Sequence, residues 1–301
     1  MAIIYRHATF DDIVAVSQVN QTAINDLNRR HGFPEFPPSP PSPLYAFSLT
    51  EEPEGLWIAE DNGTIAGYSI SWVRGAFWFL YDLFVLPQYQ GKGIGQKLIQ
   101  KAFEHGSGSE IDNRALITFA YNPVSITLYI KYGMYPREPL YLMEVPRTHV
   151  CEYSSHMQPI DLERVDPNRF VADQLGRIDE QVLGVPRSKH HFYLLNAPGG
   201  ACYLFKEKGD VRGYAYVWSS GRVGPLAVLS PTAFEPVMCS ALALAASQDA
   251  EVVRVLLPGS NEQAGRIVLR CKMRIAYPML LMSTKPFGSW HNYLFYSPGL
   301  M

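Results

Sequence analysis

Apolar and polar positions alternate in two rhythms along this chain, and the places where the rhythm changes divide it into elements. Residues 2–6 (AIIYR) read as a strand. From Thr9 to Leu27 the apolar side chains Ile13, Val16, Val19, Ala23, Ile24 and Leu27 fall at helical spacing, behind an Asp11-Asp12 pair that suits a helix N-terminus. The prolines between His31 and Pro43 forbid a regular helix and predict an extended, semi-rigid loop, either plain surface or a lid or wall over a site. LWIAE and IAGYSISWV then form a hairpin about Asp61-Asn62-Gly63, and a third strand runs from Ala76 to Leu86, before Pro87. After a glycine-rich turn, Ile94, Leu98, Ile99 and Phe103 mark one face of an amphipathic helix. A strand (Ala115–Tyr121), a short helix (Pro123–Tyr132) and a last strand (Leu140–Val145) follow. The order predicts an α+β fold on a mixed sheet.

The second half repeats this plan. Trp57–Trp72 (WIAEDNGTIAGYSISW) parallels Tyr203–Trp218 (YLFKEKGDVRGYAYVW), Leu83–Pro87 parallels Ala227–Pro231, and Asn122–Met134 parallels Asn261–Met273. Three matches in order predict a tandem repeat of two domains, 1–147 and 154–301, with the boundary near Pro146–Tyr153.

Composition supports two packed domains: 301 residues, 47% hydrophobic and 18% charged. A net charge of −2 without a basic stripe argues against a nucleic-acid partner. The four cysteines lie far apart in the second half, and neither they nor His190-His191 have metal-ligand spacing, so no metal site is expected. The N-terminus turns polar too soon for a signal peptide, and no apolar run is long enough to span a bilayer. A cytoplasmic protein without membrane contact is the expectation.

The chemistry concentrates at Leu83–Gly95 (LFVLPQYQGKGIG). A strand ends at a proline, and a glycine-rich turn opens a helix whose first amides lack intrahelical partners; glycines there admit a bulky anion, so the turn reads as a phosphate site. It lacks the Gly-Lys-Ser/Thr of a Walker loop and the spacing and βαβ setting of a dinucleotide fingerprint. The run L-x-V-x-P followed by Q-x-x-G-x-G instead resembles the acyl-CoA pyrophosphate motif of the GCN5-related N-acetyltransferase (GNAT) superfamily. The stretch Asn122, Ser125, Leu128, Tyr129, Tyr132, Gly133 is similar to that family's second motif. The likeness covers most of residues 1–147. It implies an acyl-CoA N-acyltransferase fold and acetyl-CoA as donor. The amides of Gln90, Gly91, Lys92, Gly93, Ile94, Gly95 and Gln96 would hold the pyrophosphate, and the backbone of Phe84 and Val85 would pair with the pantetheine arm. Asn122 and Ser125 would contact that arm as well. Gln90 stands where arginine is commoner.

Attack of an amine on the thioester releases a thiolate, for which a phenol is a suitable proton donor. Tyr129 holds the family's position for that acid; the competing role is an aromatic packed on an amphipathic helix. Asp82, just before the splayed strand segment, is the best-placed base and could attract a cationic amine; the competing role is a solvated or helix-paired aspartate. A backbone amide near Val85 could polarise the carbonyl. In the second copy Ser230–Pro236 replaces the glycine turn, Val268 stands for Tyr129 and Lys272 for Gly133, so that half reads as a degenerate copy. The predicted activity is acetyl transfer to a primary amine of a small molecule or peptide. The alternatives are a non-catalytic acyl-CoA sensor and a tandem-fold transferase with another donor, as in the peptidoglycan-bridge aminoacyltransferases.

Overall fold

A computed structural model describes residues 3–108, 110–154 and 161–301. The chain forms two compact units, 1–135 with 282–285 and 136–281 with 286–301.

In the first unit, β1 (Ile4–His7), β2 (Leu56–Asp61), β3 (Thr64–Arg74) and β4 (Phe77–Val85) are antiparallel neighbours in that order, and β5 (Asn113–Phe119) joins β4 in parallel. Ala2, included in the expected first strand, lies outside the described residues. Asn62 (φ 50) and Gly63 (φ 81) both adopt left-handed backbone, as a tight two-residue hairpin requires. Strand alternation sends Leu56, Ile58, Tyr68 and Ile70 to a cluster with Val16 and Val19 of α1 (Ile13–Arg30) and Tyr45 and Leu49 of α2 (Pro43–Glu51). Trp57, Ala59, Ala66 and Val85 face Ile94 and Leu98 of α3 (Ile94–Ala102) instead. Both sheet faces are covered, which is why β2 to β4 read as nearly continuous apolar runs.

The proline-rich segment is more ordered than composition suggested. Ser42 caps α2, and Pro43 sits in its first turn, where its missing N–H costs nothing. Upstream, Asn25 exchanges two hydrogen bonds with the Phe36 backbone, Nδ2 to O at 3.0 Å and N to Oδ1 at 2.8 Å. Asn28 donates to Pro34 O (2.9 Å) and accepts from the Tyr121 hydroxyl (2.7 Å), while Phe33 stacks on Tyr121 at 4.0 Å. These bonds pin the segment to α1.

The second unit contains β6 (Tyr135–Pro146) from Pro136 onward, placed between β11 (Val252–Pro258) and β12 (Arg274–Ser283). β11 continues through β10 (Arg222–Val228), β9 (Asp210–Trp218) and β8 (Gly200–Glu207) to β7 (Asp161–Arg164). α8 (Phe234–Ala246) and α9 (Glu262–Arg270) pack their apolar faces on this sheet in one large core with Val223, Leu226, Val253 and Val255. Among the described residues no helix is long and apolar enough to cross a membrane.

A fully buried polar cluster lies between α6 (Arg169–Leu183), α7 (Ser188–Asn196) and β9. Asp179 receives Nη1 of Arg187 (2.8 Å), Nε2 of His191 (2.7 Å) and the Tyr214 hydroxyl (2.5 Å), and Arg187 also reaches the Tyr293 hydroxyl (2.6 Å). Burial opposes a charge on Asp179, but Arg187 and His191 outweigh it and hold the carboxyl below its ordinary range. Burial, with Arg187 adding to it, holds His191 below its ordinary value against the pull of Asp179. Breaking such a pair leaves a buried charge uncompensated, so Arg187→Met should cost about 3–5 kcal/mol at pH 8. In that variant His191 loses a repelling cation and keeps Asp179, so its folded pKa should rise from its value in the parent chain. The variant's folded state then binds more protons than the parent's as pH falls, and recovers stability in that direction. Urea midpoints at pH 6 and pH 8 check this: the deficit should be smaller at pH 6.

Candidate active site

The glycine-rich turn hangs from well-packed supports. A 3-10 turn at Pro87–Tyr89 ends β4, and Ile94, Leu98, Ile99 and Ala102 seat α3 against the sheet. Between them Gly91 (φ 75) and Gly93 (φ 79) take left-handed backbone. Gly93 is the N-cap of α3 and brings no capping side chain. Among the described residues nothing accepts from the N–H groups of Gly91, Lys92, Gly93, Ile94, Gly95 or Gln96. A Cβ built on Gly91 or Gly93 would meet nothing within 4 Å, so the outer face of the turn is open. Open amides at a helix N-terminus, with room beside them, fit a diphosphate. Lys92 lies over the Tyr89 ring, 4.9 Å from its centroid. Gln90 turns inward: its Nε2 donates to Val85 O at 2.9 Å and fastens the turn to the strand end.

Next to the turn the sheet splits. β4 and β5 pair only from Phe77/Asn113 to Leu80/Leu116, although both strands continue. The division coincides with a bulge: Ile70 faces Asp82 and Ser71 faces Leu80, leaving Tyr81 as the extra residue. A bulge re-aims the side chains that follow it. Beyond it, Asp82, Phe84 and Val85 present a backbone edge that pairs with no strand on the β5 side among the described residues.

Three elements converge on Asp82. Tyr68 of β3 donates its hydroxyl proton to Asp82 Oδ2 at 2.9 Å, and the Tyr68 hydroxyl oxygen accepts from Asn20 Nδ2 of α1 at 2.9 Å. The Tyr45 hydroxyl of α2 lies 3.3 Å from that of Tyr68. Removal from water pushes the Asp82 carboxyl up to about 7, against the opposing pull of the Tyr68 and Tyr45 phenols. Tyr129 of α4 (Pro123–Lys131) is buried, and burial drives its hydroxyl well above the ordinary phenol range, with the Asp82 charge adding to the effect and Ser125 opposing it. Asp82 and Tyr129 therefore share one electrostatic neighbourhood with their proton affinities pushed far apart. Tyr45, Tyr68 and Asn20 were not singled out from sequence. The Gly-Tyr pair was the available signal: a Cβ on Gly67 would lie 2.8 Å from Phe84 O, and this close approach carries Tyr68 to Asp82.

Asn122 and Ser125 have a structural task. Asn122 Oδ1 accepts from Ser125 N (3.2 Å) and its Nδ2 donates to Ser125 Oγ (2.8 Å), capping α4. Asn261 does the same for α9, accepting from Ala264 N at 3.0 Å, which explains its survival in a half without a glycine turn.

In the second unit the 3-10 turn Pro231–Ala233 runs straight into α8 at the buried Phe234, with no intervening glycine loop. The hairpin register sets Ala227 opposite Tyr214 as Phe84 stands opposite Tyr68, one residue away from the pairing that the matched prolines suggest. β10 and β11 also divide: they pair in parallel at Arg222/Arg254 and Val223/Val255. There the C-terminal segment fills the gap. β13 (Tyr293–Leu294) pairs with Ala227 and Leu226, and Phe295 N donates to Leu256 O at 3.0 Å. Tyr293, Leu294 and Phe295 are fully buried. Val268 occupies the place of Tyr129 in the helix that follows.

A mixed sheet split beside an open helix N-terminus is the acyl-CoA N-acyltransferase fold. A Pyrococcus horikoshii protein described as a candidate acetyltransferase superposes with a TM-score of 0.73 at 19% identity, over 99% of this chain and 96% of its own. A tandem GNAT protein from the clavulanic acid biosynthesis pathway superposes at 0.63 with 13% identity, over 95% and 99%. Residues 21–134 match the sequence model of the acetyltransferase (GNAT) family. The family match thus lies in the first unit, and the whole chain shares its fold with these solved structures. An N-acetyltransferase of Archaeoglobus fulgidus is 32% identical over 68 residues, 20% of this chain and 46% of that protein. The thialysine N-ε-acetyltransferase of Mus musculus is 30% identical over 76 residues, 23% of this chain and 45% of that protein. The chain thus spans about half the length of these relatives.

If the two asparagines are caps, Asn122→Ala and Asn261→Ala should each lower stability by about 1 kcal/mol. Chemical unfolding of the two variants checks this.

Proposed function

We propose that the first unit transfers an acetyl group from acetyl-CoA to a primary amine by direct attack, and that the second unit has no donor chemistry of its own. The observation that carries the reading is the open row of amides from Gly91 to Gln96 beside the unpaired edge of Asp82–Val85. The amides would hold the diphosphate, and the β4 edge would receive the amide-bearing arm. Acetyl-CoA brings an activated thioester. Everything else falls to this chain.

Amines arrive mostly protonated at neutral pH, so the site needs a group that attracts a cation and accepts its proton. Asp82, pushed up to about 7, has an affinity matched to that task, as base catalysis near neutrality requires. Tyr129 stays protonated at every working pH and would stabilise the departing sulfur by donating a hydrogen bond. Its raised proton affinity makes full transfer to a thiolate (pKa about 8.5) uphill, so hydrogen bonding is the larger part of its role. A backbone amide near Val85 would polarise the carbonyl.

Two features support the assignment of the second unit. α8 starts without a loop of free amides, and the chain's own tail sits where β10 and β11 part. The mouse relative's acceptor makes thialysine a natural first probe, beside spermidine, free amino acids and a peptide N-terminus.

CoA release measured over that panel tests the activity. Tyr129→Phe should lower kcat by roughly 10–100-fold and leave acetyl-CoA affinity within about twofold, as expected for a group acting mainly in the transition state. Binding of acetyl-CoA without amine-dependent release anywhere on the panel would favour the sensor reading. Gly93→Ala adds a side chain at a left-handed position on the open face of the turn. It should weaken acetyl-CoA binding at least about tenfold by calorimetry, since backbone approach to the phosphates is what the glycine allows.

A further inference from the structure

We infer that Tyr68, held by Asn20 and Tyr45, is a positioning residue that fixes the Asp82 carboxylate to take a cationic amine. The inference deepens the proposed function and rests on its reading of Asp82 as the base. Tyr68 is fully buried, so its hydroxyl cannot turn to water. Asn20 Nδ2 is a donor only, and it occupies the hydroxyl's acceptor side at 2.9 Å. The phenol proton is therefore directed at Asp82 Oδ2, 2.9 Å away. One carboxylate oxygen is anchored by this bond, with Tyr45 as a second phenol beside the same carboxylate.

The titratable groups facing Asp82 are all phenols: Tyr68 from β3, Tyr45 from α2 and Tyr129 from α4. Among the described residues no cation pairs with it. A half-buried carboxylate with a directed donor but no counter-charge lacks the partner that a cationic substrate supplies.

The second unit shows the same pair with its cation in place. Tyr214 stands in the register position of Tyr68, next to a glycine, Gly213, whose Cβ would lie 2.4 Å from Ala227 O. Its hydroxyl also donates to a carboxylate, that of Asp179, at 2.5 Å. That carboxylate comes from α6, since Pro225 occupies the strand position of Asp82, and it carries the Arg187 guanidinium at 2.8 Å. Two carboxylates from different elements thus meet equivalent phenols. The one sealed inside the protein is paired with a nitrogen cation, and the one beside the split sheet is not.

The test is a carbon-13 NMR titration of Asp side chains in the full chain, with the Asp82 signal assigned by its loss in Asp82→Asn. Tyr68→Phe keeps the ring and removes the directed proton, which favours the charged form. It should move the Asp82 midpoint upward by about one pH unit, and the acid limb of amine-dependent CoA release should move with it. Asn20→Ala, a milder change at a half-buried position, should move both the same way by about half as much. An Asp82 midpoint unchanged in Tyr68→Phe would overturn the positioning role, as would a change in overall stability alone. If Asp82 titrates in the ordinary carboxylate range but still responds to Tyr68→Phe, the positioning stands and the base reading fails. An acid limb that survives in Asp82→Asn has the same meaning.

Discussion

Everything in this molecule that bears on chemistry depends on a sheet that stops pairing. Backbone N–H and C=O groups are obligatory hydrogen-bonding groups, and a strand edge buried within a domain is costly unless something satisfies it. β4 and β5 leave each other after Leu80 and Leu116, and β10 and β11 after Val223 and Val255. The two units meet the same demand differently. The second stitches its gap with its own C-terminal strand, whose residues bond to both lips. The first leaves its edge open next to a row of free amides, and a ligand rich in amide and phosphate groups is what such a surface can accept.

The same contrast governs the two acids. Asp179 and Asp82 each accept a phenol proton from equivalent strand positions, yet their proton affinities move in opposite directions. Desolvation raises both. What differs is the counter-charge: Arg187 and His191 outweigh burial at Asp179, whereas only phenols oppose it at Asp82. A group meant to hold structure is paired and locked in one charge state. Under the proposed function, Asp82 is the group that exchanges a proton, and it is left near neutrality and only half-buried.

What could be read from sequence follows the range of the interactions involved. The hairpin at Asn62-Gly63, the glycine turn before α3, and the helix behind Asn122-Pro123 are fixed by contacts within a few residues, and all lie where the pattern put them. The internal repeat was legible because hairpins and caps impose residue types at fixed spacing. Longer contacts left no pattern. α2 was hidden behind prolines, the last of which, Pro43, sits in its first turn. Tyr68, which donates to Asp82, is itself held by Asn20 and Tyr45, polar residues on helices with no motif around them. The Asp179 cluster joins positions 179, 187, 191, 214 and 293, a set that no local rhythm could suggest. Residues 282–285 rejoin the first unit, where Thr284 and Lys285 bond to Asn113, and nothing in their sequence marks the return.

Comparison of the two units separates what the fold needs from what the site needs. Both keep the glycine that lets the third strand approach, the phenol after it, the asparagine cap, and a left-handed residue at the end of the capped helix. At that last position Gly133 (φ 78) gives way to Lys272 (φ 60), a substitution that costs strain yet preserves the backbone path. Conformation was retained there even at an energetic disadvantage. The glycine turn, the open β4 edge, Asp82 and Tyr129 have no counterparts among the described residues of the second unit. Features present in one unit and absent from the other, while both share the framework, are the ones the framework does not require. In the first unit, the reason for their presence lies outside the folding of the chain.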